Sequence, residues 1–361
     1  MPASRLGSAG KESGLMSVLS LPRPYLLFLG DVTDLSYAKT AAGLRDWVPD
    51  QCVAEWALPG NPLRLGLPVM NPAEAARAGA RALVIGAATM GGALRPAWVP
   101  ALLEAMEAGL DIISGMHMPL ASIPDLKSAA ERLGRQLIDV RRPPADLPLG
   151  TGRKRTGKRL LTVGTDCALG KKYTALALAQ AFTRAGAKAT FRATGQTGIL
   201  IAGGGVPMDA VVSDFLAGAA EALSPDAPAD HWDIVEGQGS LFHPSYAGVS
   251  LGLLHGSQPD VLVICHEFGR KRIIGLDAHY PIPSIEEVIE LNLMHARRVN
   301  PDVRVGGISL NTSKLSEDEA RRAIETESRR TGLPCADPIR GGAAFDRLVE
   351  ACLEPEAALA Q

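Results

Sequence analysis

Short apolar runs alternate along this chain with longer stretches in which apolar residues recur every three to four positions. Tyr25–Leu29 and Leu83–Ala87 are continuous apolar segments ending in small residues, and Asp111–Ser114 and Gln136–Val140 fit the same length. Continuous rather than alternating apolar runs are strands buried on both faces, the pattern of parallel sheets. Between them, Trp98–Ala108 and Leu126–Leu133 carry helical periodicity. From Leu160 the alternation repeats. Strands are predicted at Leu160–Val163, Ala189–Arg192, Asp233–Val235, Val261–Cys265 and Val305–Leu310, and helices at Tyr173–Arg184, Asp209–Leu223, Ile285–Val299 and Glu317–Arg330. Strands separated by helices of this length imply right-handed βαβ units and mostly parallel sheets, an α/β fold in two domains.

Punctuation along the chain sets the boundaries. Residues 1–23 are rich in Ser, Gly and Pro, without a convincing apolar core, and read as a loose tail rather than a signal peptide; Met16 is a possible alternative start. The first domain is expected over 24–142, a linker over 143–158, and the second domain over 159–361. The linker holds Pro143, Pro144 and Pro148, and a basic run of Arg153, Lys154, Arg155, Lys158 and Arg159 closes it. That run either reaches an anionic ligand or is simply solvated. Gly30-Asp31 and Gly91-Gly92 follow strands, where they line a cleft or merely make tight turns.

Composition narrows the function classes. The 361 residues have ample apolar content for two cores. With 37 basic and 39 acidic side chains the net charge is −2, which gives no electrostatic case for nucleic acid or an anionic membrane. No apolar run reaches the roughly 18 residues of a membrane span. Five cysteines (Cys52, Cys167, Cys265, Cys335, Cys352) are scattered without metal-ligand spacing and read as reduced thiols in a cytoplasmic protein.

The chemistry concentrates in mid-chain. Leu160–Val163 leads into Gly164-Thr165-Asp166-Cys167-Ala168-Leu169-Gly170-Lys171-Lys172-Tyr173-Thr174 and then a helix. A strand, a glycine loop, Gly-Lys and a helix together make a phosphate cradle: backbone N–H groups and the positive helix end face an anion, and Lys171 adds a point charge. The second domain is therefore P-loop NTPase-like, and the first, which lacks a Gly-x-Gly-x-x-Gly fingerprint, is Rossmann-like. The usual loop has four residues between Gly and Gly-Lys, whereas five separate Gly164 from Gly170. This longer loop resembles that of dethiobiotin synthetase and its relatives. The position after Lys171 carries Lys172 in place of the Ser or Thr whose hydroxyl holds Mg²⁺ in an ATPase. Thr174, two residues on, would face elsewhere. Cys167 is either a thiolate nucleophile at a helix N-terminus or a small residue that fits the loop.

Polar residues follow the other strands at the ends where parallel sheets place ligands: Arg192–Gly198 after the second, Glu236–Pro244 after the third, His266–Arg272 after the fourth, and Asn311–Lys314 after the fifth. Glu236 closes a buried strand, where an unpaired carboxylate is costly, which favours a functional role. His243 is a candidate general base or a helix-end packing residue. Arg192 and Arg270 have the fork that grips carboxylates and phosphates. His266 and His279 lack partners at metal-ligand spacing, and no metal site is expected.

Taken together, these motifs resemble the D-glutamate N-acetyltransferase family, long labelled only as a domain of unknown function. The likeness spans about residues 25–345 and rests on Gly30-Asp31-Val32, Val163–Thr174, Phe191–Gly198, Val235–Pro244 and Gly307–Thr312. It implies acetyl transfer from acetyl-CoA to the amine of D-glutamate in D-amino-acid breakdown. On that activity Gly164–Thr174 would hold the CoA phosphates, with Gln196 and Asn311 helping to place the cofactor. Glu236 or His243 would take the ammonium proton, and the amides of Gly237, Gln238 and Gly239 would stabilise the oxyanion. Arg192 and Arg270 would pair with the substrate carboxylates. The alternative is an ATP- and Mg²⁺-dependent enzyme like dethiobiotin synthetase. A small-molecule partner and a homo-oligomer are expected.

Overall fold

The computed structural model describes residues 21–277 and 279–354, so most of the expected N-terminal tail lies outside the described residues. The first half runs β1 (Tyr25–Gly30), α1 (Lys39–Trp47), β2 (Cys52–Ala57), α2 (Pro72–Arg77), β3 (Ala82–Ile85), α3 (Val99–Glu107), β4 (Asp111–Ser114), α4 (Pro124–Leu133) and β5 (Leu137–Asp139). Its five strands are all parallel, in the order β2-β1-β3-β4-β5. In this order the chain changes direction between β1 and β3, and the crevice at the carboxyl ends of those strands is where such sheets bind ligands. Every residue of β1 is buried, as a continuous apolar run requires of a central strand.

The second half runs β6 (Lys158–Gly164), α5 (Lys171–Arg184), β7 (Lys188–Arg192), α6 (Gln196–Ala202), α7 (Leu216–Leu223), β8 (His231–Val235), α8 (Ala247–Ser257), β9 (Val261–Glu267), α9 (Ile285–Ala296), β10 (Arg304–Asn311), α10 (Glu317–Thr331), β11 (Cys335–Ala336) and α11 (Ala343–Leu353). This sheet is also parallel, ordered β11-β10-β9-β6-β8-β7, so the phosphate-loop strand β6 lies between β9 and β8. Two apolar clusters cover its faces. No helix among the described residues is long and apolar enough to cross a membrane.

Some elements depart from the periodicity. The helix expected over Asp209–Leu223 begins only at Leu216, and short 3₁₀ turns occupy Met208–Ala210 and Ser213–Phe215. Val212 between them is extended, as befits a β-branched residue followed by Ser-Asp. Helix α6 is not predicted by the periodicity, because Gly198 interrupts it. A Cβ at that position would overlap the Glu236 carboxylate, so the chain spends a poor helix former where the carboxylate passes. The basic run after the linker is not simply solvated. Arg159 is fully buried and Arg155 nearly so, and they donate to carbonyls of Gly256, Ser257, Ser224 and Pro225. The run thus pins the incoming chain to the second sheet.

Candidate active site

The phosphate loop forms as its sequence requires. Ala168 takes a positive φ of 53° and Gly170 one of 114°, which turns the chain from β6 into α5. Gly170 caps α5 without a side-chain bond. Among the described residues the amides of Ala168, Leu169 and Gly170 donate to no protein acceptor, and the first-turn amides of α5 have none by helix geometry. A set of unused N–H groups at a helix start is an anion site. Lys171 is buried, its ammonium donating to the Asp166 carbonyl at 2.7 Å; burial pulls its pKa down, partly offset by neighbouring Cys167, Cys265 and Asp166.

The loop is braced from outside. Fully buried Asp166 receives Arg270 Nη1 at 2.8 Å and the Ile274 amide at 2.8 Å. Arg270 also donates to the Cys167 carbonyl and to Glu267, which in turn accepts from Lys314. Asn311 donates to the Leu169 carbonyl at 3.2 Å. Arg270 is therefore a clamp on the phosphate loop, and the substrate-carboxylate role expected of it gives way to these ties. Arg192 departs as well: it pairs through Nε with buried Asp233 at 2.7 Å, because its strand aims it back along β8 rather than over the rim. Thr174 faces inward, bonded to Ser309 at 2.7 Å. The Tyr173 hydroxyl donates to Asp46 and its ring meets Trp47 edge-on, so this residue joins α5 to the first half.

Behind the loop, Glu236 is 3 % exposed and accepts from the amides of Thr194 and Gly195 at 3.0 and 3.1 Å. Burial raises its pKa, while those amides and the two lysines oppose the rise. Lys172 makes no hydrogen bond among the described residues, and desolvation pulls its pKa down to about 8 despite Glu236 and Asp46. The position where metal-dependent loops keep a hydroxyl thus holds an ammonium near a carboxylate. The Gly237 amide, expected to serve an oxyanion, is already given to Thr162 Oγ1 at 2.9 Å, and Gln238 donates to Thr194.

Both ring nitrogens of His243 are engaged by the protein. Its Nε2 bonds the Ile274 carbonyl at 3.1 Å, and its Nδ1 accepts from the Ser245 amide at 3.2 Å. It gathers with Asp166 and Cys167 within 4.8 Å, but the nitrogens of His243 and the Oδ2 of Asp166 are spent on protein partners, so the set does not fit a metal. Burial raises the Cys167 thiol pKa, Lys171 opposing, which disfavours a thiolate nucleophile.

One feature lay beyond the sequence. A cavity of about 250 Å³ opens where the carboxyl ends of β3 and β4 meet the second half, lined by Thr40, Thr89, Gly92, His117, Arg141 and Gln196 among others. Gln196 packs against Gly115, Thr40 bonds Thr197 at 3.1 Å, and Arg141 pairs with Asp209; each contact crosses between the halves. Of the residues expected at the site, only Gln196 reaches this cavity. Gly91-Gly92 was the one signal pointing here.

Comparison with known proteins agrees with this architecture. Residues 56–143 match "Domain of unknown function (DUF1611_N) Rossmann-like domain", and residues 148–349 match "Domain of unknown function (DUF1611_C) P-loop domain". A D-glutamate N-acetyltransferase from Tritonibacter scottomollicae is 52% identical over 91% of this chain and 98% of its own length. One of the same name from a Pseudoalteromonas species is 50% identical over 90% and 97%. The crystal structure of a DUF1611 family protein from Anabaena variabilis superposes with a TM-score of 0.81 at 35% identity, covering 92% of this chain and all of that one.

Proposed function

This chain belongs to the DUF1611 family, and from that premise we propose that it transfers an acetyl group from acetyl-CoA to the amine of D-glutamate. The name of its half-identical relatives supports the reading. The observation that carries it is the altered phosphate loop: an intact cradle of free amides whose metal-binding hydroxyl has become the ammonium of Lys172. CoA offers a pyrophosphate to such a cradle and has no phosphoryl group to pass on. The residues do not fit Mg²⁺, because Thr174 is bonded inward and Asp166 is clamped by Arg270, which weighs against the ATP-dependent alternative.

In this scheme the amides of residues 168–172 and Lys171 hold the pyrophosphate, and Asn311 keeps the loop in shape. The amine attacks the thioester directly, since Cys167 is held as a thiol. Glu236 stands beside Lys171 and Lys172, where an incoming substrate ammonium would be repelled; its work is to anchor the start of α6 and keep Lys172 charged. His243 orients the segment after Arg270 through Ile274.

The test is thiol release from acetyl-CoA with D- or L-glutamate, without ATP or Mg²⁺. Release that needs D-glutamate is expected. No release, together with ADP formation once ATP and Mg²⁺ are added, would overturn the reading.

A second expectation concerns pH. Lys172 is charged below about 8 and neutral above, so CoA affinity should fall between about pH 7 and about pH 9. The unliganded fold should gain stability as pH rises past about 8 and go on gaining toward the ordinary lysine value of 10.5, because the buried group sheds its proton while the unfolded chain keeps it. Calorimetric titration of CoA checks the first trend, and Lys172→Met should flatten both.

A further inference from the structure

We propose that the cavity between the two halves binds the acceptor amino acid, with Arg141 gripping a substrate carboxylate and His117 taking the proton that frees the amine. This rests on the acetyl-transfer reading. The cavity lies at the carboxyl ends of β3 and β4, one strand over from the switch point of the first sheet and on the edge where parallel sheets receive ligands. Its volume of about 250 Å³ suits an amino acid and is too small for a dinucleotide.

Arg141 is built to meet an anion there. Its side chain is 10% exposed; Nε donates to the Gly115 carbonyl at 2.8 Å and Nη1 pairs with Asp209. Nη2 donates to no acceptor among the described residues. Asp209 occupies Nη1 alone, so the Nη2 edge is left to a second carboxylate, for which arginine's forked geometry is suited.

His117 stands on the same wall. Its backbone amide donates to the Gly92 carbonyl at 3.1 Å, and its ring lies where a Cβ on Gly92 would be, so the left-handed Gly91-Gly92 turn makes room for it. The ring makes no hydrogen bond among the described residues. Burial and the nearby Arg141 charge lower its pKa, so near neutral pH it is an unprotonated imidazole with a lone pair to offer. Arg141 and Tyr246 are the charged and titratable groups lining the cavity with it, Asp209 standing behind the arginine.

The transfer then balances. His117 takes one proton from the substrate ammonium. The freed nitrogen lone pair forms a C–N bond to the thioester carbonyl carbon, the C–S bond breaks with its electron pair going to sulfur, and a second nitrogen proton goes to that sulfur as the thiol. The imidazolium returns its proton to solvent.

The experiment uses the full chain and measures D-glutamate binding by calorimetry in the presence of CoA, beside steady-state kinetics. Arg141→Met should weaken D-glutamate binding by about thirtyfold or more, with CoA affinity unchanged. Asp209→Asn, which keeps the guanidinium and breaks the ion pair, should cost less than about fivefold. His117→Gln should lower kcat by about a hundredfold, leave D-glutamate binding intact and remove the acidic limb of the pH–rate profile. Should Arg141→Met fail to fold, Arg141→Lys keeps the charge without the fork and is expected to bind more weakly than wild type. Wild-type turnover with the Arg141 and His117 variants unchanged in binding and rate would sink the cavity assignment while acetyl transfer stands. Arg141-dependent binding of D-glutamate without turnover would sink acetyl transfer while the site stands.

Discussion

Arg270→Ala should destabilise the fold by about 3–5 kcal/mol, the cost of leaving buried carboxylates without their cation. Asp166 is fully buried and Glu267 is 6% exposed, and both pair with this guanidinium. Lys314 still reaches Glu267, but Asp166 would keep only amide donors. Chemical denaturation of wild type and variant measures the loss. The outcome separates two roles: an arginine that merely received a substrate carboxylate would raise KM and leave the denaturation midpoint where it was. Arg270→Lys should recover part of the stability, since an ammonium keeps the charge and loses the planar fork.

Lys171→Met should do the reverse. Among the described residues its ammonium has one protein acceptor, the Asp166 carbonyl, and burial already works against its charge. Replacing it with an apolar side chain of similar length relieves that desolvation, so stability should hold or rise. The rate constant kcat/KM for acetyl-CoA should fall by about a thousandfold, the scale of losing a preorganised charge at a desolvated site. Retained stability with lost CoA affinity would tie Lys171 to the ligand. Unchanged kinetics would remove the phosphate loop from the reaction.

The two sheets and the phosphate loop were legible because each depends on neighbours in sequence: continuous apolar runs for the strands, and Gly-Lys at a strand–helix junction for the cradle. What the sequence could not show was where arginines point. Arg192 and Arg270 look alike as rim residues, yet one turns back to Asp233 and the other closes on Asp166, partners 41 and 104 residues away. His243 had the chemistry of a base, and only its two bonds reveal a positioning residue. The cavity was hidden for the same reason. Arg141 falls at the end of the first domain, just before the expected linker, and His117 lies between a strand and a helix without any spacing partner; the fold brings them to one wall. Helix α8, apolar on all sides and studded with Gly and Ser, offered no periodicity to read.

The placement of β6 also bears on how the protein is made. Its flanks are β8, beginning near residue 231, and β9, ending at Glu267. A ribosome adding about 5–20 residues per second takes on the order of 5–20 s to get from the phosphate loop to the end of β9. Until β8 emerges the apolar central strand has neither neighbour, and until β9 follows it has only one, a long-range pairing of the kind that folds slowly. Any slow step or chaperone dependence in biogenesis should therefore concern the second half, and silent codon changes between residues 164 and 267 are where translation speed would be felt.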